Sequence, residues 1–318
     1  MEKPAISKSR SQQASKVDKP TSNVHEHAET GRSFWPFKPL SGLYQDVFII
    51  LSWIAIWQIG RIVEYTEHAS VWFPAAGYTL ACFLVLGWRA VVSIMVAAIA
   101  ITVWNGHNYS LPLSNVELMW GGVLFGIAHM VPYYAGASVL GHLLRKPDVT
   151  TPQLIVSFLI IGCISSLVAT QLVIGSLVLT NQMSAADIKD AMLPFWIGDM
   201  AGVVVLAPLF AGLLVKISAA SKIDLLAFSN CASSDLHSYF KKVAINLALI
   251  LFVMLLAKLT QSRDSAFAIF FLAITHMWIA CTESTKRNVI SLAISSLCIV
   301  LLVHMFALMD YVKVYQFA

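Results

Sequence analysis

The chain has 318 residues, of which 58% are hydrophobic and 12% charged. A soluble domain carries about 25% charged residues, so this chain cannot cover a globular surface with polar groups, and the bilayer must serve as solvent for much of it. No segment alternates with the period of two that a membrane β-barrel needs. No soluble stretch is large enough for an enzyme, and no cofactor is expected. The net charge of +4 matters less than where the charges fall.

Residues 1–33 are rich in Ser, Lys, Gln, Glu and His, lack aromatics, and are expected to be disordered. Seven basic residues lie in the first 40, from Lys3 to Lys38. No base-stacking aromatics alternate with them, so they read as a solvated cytoplasmic tail and not a nucleic-acid site. No short apolar core follows the basic start, unlike a cleaved signal peptide. The aromatics and prolines of residues 34–44 suit a membrane interface. This gives a tail over 1–40 and a membrane domain over 41–318.

A membrane crossing needs about 20 mostly apolar residues. The apolar runs predict an all-α, polytopic transmembrane bundle of about nine spans. They are Asp46 to Glu64, Val71 to Leu86, Ala90 to Trp104, Leu118 to Leu143, Gln153 to Leu179, Met192 to Val215, Phe240 to Leu259, Ala266 to Cys281 and Val289 to Met309. With the N-terminus inside, the tail and the inner loops hold sixteen basic residues and the outer ends hold five. That asymmetry follows the positive-inside rule and predicts a cytoplasmic N-terminus, with residues after Asp310 outside. The final Tyr315-Gln316-Phe317-Ala318 reads like the opening of another helix, so a tenth span in the natural polypeptide is expected. None of the five cysteines falls in an outer loop, which argues against a disulfide framework.

Two segments stand out. The first is Trp72-Phe73-Pro74-Ala75-Ala76-Gly77, with Gly87-Trp88-Arg89 beyond it. Proline costs little in a first helical turn, Gly77 permits close helix approach, and Trp72 is expected at interface depth. The second is Phe195-Trp196-Ile197-Gly198-Asp199-Met200-Ala201-Gly202, continuing to Pro208. Asp199 is the carboxylate well inside a predicted span, where it must face other helices or a cavity. Gly198 and Gly202 form a small-xxx-small pair beside it, and Pro208 is expected to kink the helix.

Together these segments resemble the MASE1 family of bacterial membrane sensor domains, over about Asp46 to Ala318. The resemblance rests on Trp72, Pro74 and Gly77 in the first segment, and on Phe195, Trp196, Gly198, Asp199, Gly202 and Pro208 in the second. It implies a sensory input module in the bacterial inner membrane, relaying an undefined small ligand or other stimulus to a cytoplasmic histidine kinase or a cyclic di-GMP enzyme. No such output domain is recognisable here, so the signal would pass to a partner or to a missing segment. The expected pocket lies near Trp72, Trp196 and Asp199.

Parts of the sequence also suit other roles. A buried acid beside glycine- and proline-broken spans also suits a small-solute transporter, although no internal repeat is evident. A membrane anchor for a partner protein is a third possibility. His129, His276 and His304 lie in separate spans and read as packed histidines more readily than as metal or haem ligands. Arg61 and Glu64 stand three apart and read as a pair, with Asp199 as the alternative partner of Arg61. Asn105, His107 and Asn108 read as a polar outer loop, and Ser218 to Lys242 as the longest inner one.

Overall fold

The computed structural model describes residues 42–66, 69–218, 235–262 and 267–308. The tail, the interfacial aromatics, most of the Ser218–Lys242 loop and the final residues from 309 lie outside the described residues. Seven helical stretches are long and apolar enough to cross a membrane, with a shorter one at Phe267–Thr282. The architecture is a helical membrane bundle, to which the described residues add one small antiparallel hairpin.

Helix α1 spans Leu43–Gly60. After a turn at Arg61–Val63, strands β1 (Glu64–Thr66) and β2 (Ala69–Ser70) pair antiparallel, with Glu64 opposite Ser70. Helix α2 (Pro74–Leu86) opens with its proline at the first position, three residues later than the apolar pattern predicts. Helix α3 covers Ala90–Asn108. Helical turns follow one another from Pro74 to Asn108 without a gap, but the chain reverses inside that stretch. Gly60 at the end of α1 lies beside Pro74, and Ser93 at the start of α3 donates to Asp46 at the start of α1, 2.8 Å away. Arg61 meets Asn105 at the far end of α3. The reversal is at Gly87, whose φ of +63° is one that glycine adopts without strain.

Helices α4 (Asn115–Leu144) and α5 (Thr151–Leu179) form a long hairpin. Each opens with a capping box, Ser114 with Glu117 and Thr150 with Gln153, which satisfies amides that a helix start leaves free. Helix α6 (Ile188–Ala201) runs into a π-helical turn at Gly202–Leu206 and then α7 (Ala207–Ile217). Helix α8 (Leu236–Thr260), α9 (Leu272–Thr282) and α10 (Thr285–Met305) complete the bundle. Two expected loops are corrected. Asn105, His107 and Asn108 belong to the last turn of α3, with Asn105 buried. Lys241 and Lys242 belong to α8, and Lys242 is buried against Glu283 at 2.6 Å.

The apolar interior divides into two cores. One is built from α1 to α7 around Trp53, Tyr78, Phe125 and Phe195. The other joins Ile250, Val253 and Met254 of α8 and Ile269 to Ala293, Val300 and Val303 of α10. The consecutive residues Trp72 and Phe73 fall on opposite sides of this division, Trp72 in the second core and Phe73 in the first.

Candidate functional site

The two motif segments meet backbone to backbone. The Phe73 amide donates to the Gly198 carbonyl at 3.1 Å, a bond between the approach to α2 and the last turn of α6. A Cβ on Gly198 would overlap the Ser70 carbonyl, one on Gly202 the Phe73 carbonyl, and one on Gly77 the Gly202 carbonyl. Only glycine permits this crossing, because any side chain would push main chain and not a flexible neighbour. The π turn begins at Gly202, so the helix interruption expected of Pro208 starts six residues before it; Pro208 sits in the first turn of α7.

Asp199 sits at the crossing and is fully buried. Its Oδ2 accepts from the Tyr133 hydroxyl of α4 at 2.6 Å. Its Oδ1 has no hydrogen-bond partner among the described residues. An unsatisfied buried polar atom costs about 1–3 kcal/mol, so this oxygen is a place where the packing is not at its optimum. Arg61 does not supply the missing contact. It pairs with Glu64 at 3.6 Å, as the spacing predicts, and lies over the Tyr109 ring at 5.5 Å. Tyr109 donates to Glu64, and burial beside that carboxylate pushes the Tyr109 phenol above its ordinary range.

An aromatic column leads from Asp199 into the first core. Tyr133 packs on His129 at 5.0 Å, His129 stacks on Phe125 at 5.7 Å, and Phe125 meets Trp57 edge-on at 5.4 Å. Trp57 meets Phe73 of the first motif at 4.7 Å. Thr79 of α2 ties the column to α1, since Trp53 Nε1 donates to its hydroxyl at 2.9 Å and His129 Nε2 lies 3.1 Å from it. These contacts were not read from the sequence. Phe125, His129 and Tyr133 stand at i, i+4 and i+8, one face of a helix, so the stripe was legible although its partner was not.

The expected pocket is divided. Trp196 is half-buried and its Nε1 lies 3.4 Å from the Cys163 carbonyl of α5, away from Trp72. Trp72 is buried within the protein and lines a cavity of about 670 Å³ between the second core, Ala201 and Val205. A second cavity of about 20 Å³, room for roughly one water, lies between Trp57, Asn105, Phe125 and Gln182. The three span histidines are dispersed: His129 is in the column, His276 Nδ1 lies 3.0 Å from the Leu272 carbonyl, and His304 is exposed.

The family model for MASE1 matches residues 46–312, most of the chain and both motif segments. The chain belongs to the MASE1 family. MASE1 is a family of membrane-associated sensor domains. No curated protein and no solved structure gives a match. In this MASE1 domain the residues that carry the motif are therefore the ones that lock α2, α6 and the π turn together, with Asp199 enclosed where they cross.

Proposed function

We propose that this MASE1 domain is a sensory input module of the bacterial inner membrane that relays a stimulus to a cytoplasmic kinase or cyclic di-GMP output. The observation that carries the reading is the seam. Trp72 and Phe73 place one aromatic in each core, while their backbone is held by Gly198 and Gly202. A displacement of one core is thereby felt by the other at Asp199, whose unpartnered oxygen marks a group able to gain a contact in a second packing. A relay of this kind is a population shift between two packings, biased by whatever binds one of them better.

The topology proposed has nine crossings, counting α2 and α3 separately and the 267–282 segment as one, with the tail cytoplasmic. Reporter fusions at Lys146, Lys189 and Ala318 should read inside, outside and outside; an inside signal at Ala318 would refute the count. The chain carries no output or catalytic domain in this reading. Joining a histidine-kinase output after Ala318 through one added transmembrane segment should yield a reporter that responds to some change of medium or membrane composition. Output indifferent to every condition that changes the melting temperature of the purified domain would sink the sensory reading.

Small-solute transport is the second reading. Helix α2 starts inside the bundle beside the π-interrupted α6, and discontinuous helices next to a buried acid are a transporter feature. Proteoliposome flux of ions, sugars or organic acids, abolished by Asp199→Asn, would favour it over sensing.

A further inference from the structure

The smaller cavity lies at the end of the first core that carries Arg61. The rings of Trp57, Phe125 and Phe195 form much of its wall, and Thr102, Asn105 and Gln182 supply the polar part. Thr102 and Asn105 stand three apart on α3, so they are neighbours on one helix face. Gln182 reaches in from the connection between α5 and α6. Its amide nitrogen donates to Thr180 Oγ1 at 2.8 Å, and α4 makes room for it at Gly121, where a Cβ would overlap that nitrogen.

The two polar groups of α3 are left half-matched. Asn105 is only 5% exposed, and its Oδ1 accepts from Arg61 Nη1 at 3.5 Å. Its Nδ2 makes no hydrogen bond among the described residues and is not sealed off by its neighbours. Thr102 donates its one hydroxyl hydrogen to the Ala98 carbonyl at 2.9 Å, which leaves the lone pairs of Oγ1 as acceptors. A donor without an acceptor and an acceptor without a donor therefore line the same cavity. Burying an amide hydrogen without a partner is costly, and cavities that stay empty are apolar ones. Size then decides the occupant. A cavity holds a water when about 10–15 Å³ is open to the centre of that water. Here the same space is about 20 Å³, enough for one.

We propose that this cavity is the binding site of one ordered water, which accepts from Asn105 Nδ2, donates to Thr102 Oγ1 and lies under Gln182. Two side-chain partners meet the about two to four that a buried water takes. The site stands where two networks meet. Asn105 is also the partner of Arg61, while Phe125 and Trp57 belong to the aromatic column that leads to Asp199. The water joins the Arg61 end of α1 and α3 to that column. Its presence is independent of the sensory reading; its meaning, as a contact through which a change at Arg61 reaches the column, rests on that reading.

The test uses the full chain in phospholipid nanodiscs and reads hydration without any output, so its failure leaves the sensory reading untouched. Radiolysis turns a bound water into a hydroxyl radical that oxidises the side chains beside it even when they are buried, and mass spectrometry counts the products. Phe125 and Phe195 line the cavity at 4% and 5% exposure, and Phe83, at 4% exposure, does not line it. Phe125 and Phe195 should be oxidised several-fold faster than Phe83. Asn105→Leu removes the donor and fills the space, and should bring both rings down to the rate of Phe83. Should that variant fail to fold, Thr102→Val, which keeps the shape and removes the acceptor, should lower both rates in the same direction. A density map that resolves waters should show a single peak within hydrogen-bond distance of Asn105 Nδ2 and Thr102 Oγ1. Oxidation of Phe125 and Phe195 at the rate of Phe83, a folded variant oxidised like the wild type, or a cavity that is empty or holds an elongated organic density would overturn the proposal.

Discussion

The first core closes on backbone; the second closes on ions and leaves a cavity. Around Gly77, Gly198 and Gly202 the main chains of α2, α6 and the π turn touch directly, and nothing separates them. Between α8, α9 and α10 the packing is fastened at one end by charge. Glu283 is fully buried, with Lys242 at 2.6 Å and Arg287 at 3.0 Å, and Lys242 also donates to Thr282 at 2.8 Å. Beyond that clamp the helices diverge from the rest of the bundle and the 670 Å³ groove opens. The lesson is mechanical. A backbone contact has one geometry, whereas a wall of side chains around a void can repack, so movement belongs to the second region and its readout to the seam.

The largest expected effect breaks the second region. Glu283→Ala leaves Lys242 buried without its carboxylate, and removing one partner of a buried pair costs about 3–5 kcal/mol. Unfolding titrations in mixed detergent should show that loss, and a change below about 1 kcal/mol would mean that water reaches the clamp. Next comes an enlargement in each region. Gly202→Ala forces a methyl onto the Phe73 carbonyl and should cost about 1–3 kcal/mol. Ala273→Leu adds more atoms at the groove and should shift stability by less than about 1 kcal/mol. Equal losses in the two variants would erase the contrast between a closed crossing and an open groove. A smaller effect is expected of Tyr133→Phe. It leaves both Asp199 oxygens unsatisfied and should cost about 1–2 kcal/mol. An Asp199→Ala background, which lacks the acceptor, should remove most of that cost if the hydroxyl–carboxylate bond is its source.

The helices were legible because apolar runs of spanning length are a strong signal, and so was the Gly198–Asp199–Gly202 cluster, whose composition is unusual for a span. The orientation of helix faces was not. Helices apolar all round have no polar stripe from which a packing direction could be read, so Tyr133 could not be assigned to Asp199, nor Arg61 withheld from it. The reversal at Gly87 was legible from Gly87-Trp88-Arg89, a glycine and a charge between two apolar runs. The split of Trp72 from Phe73 between cores was not, because adjacent residues in a non-helical approach segment diverge according to tertiary packing alone. The π turn is not legible for a related reason: Gly202–Leu206 reads as ordinary helix, and only the structure shows that it begins at the glycine where the Phe73 carbonyl leaves no room for a side chain. From the sequence Lys242 reads as a loop charge, because its partner Glu283 lies forty-one residues away.

The central claim is that the seam transmits, and Asp199→Asn tests it with the least disturbance. The substitution preserves size and an acceptor for Tyr133 while removing the carboxylate. In the chimera carrying a kinase output, compared with wild type at matched membrane levels and matched melting temperature, the account predicts an output fixed at one level under conditions that move the wild type. A variant whose output follows the wild type through the same conditions would contradict it.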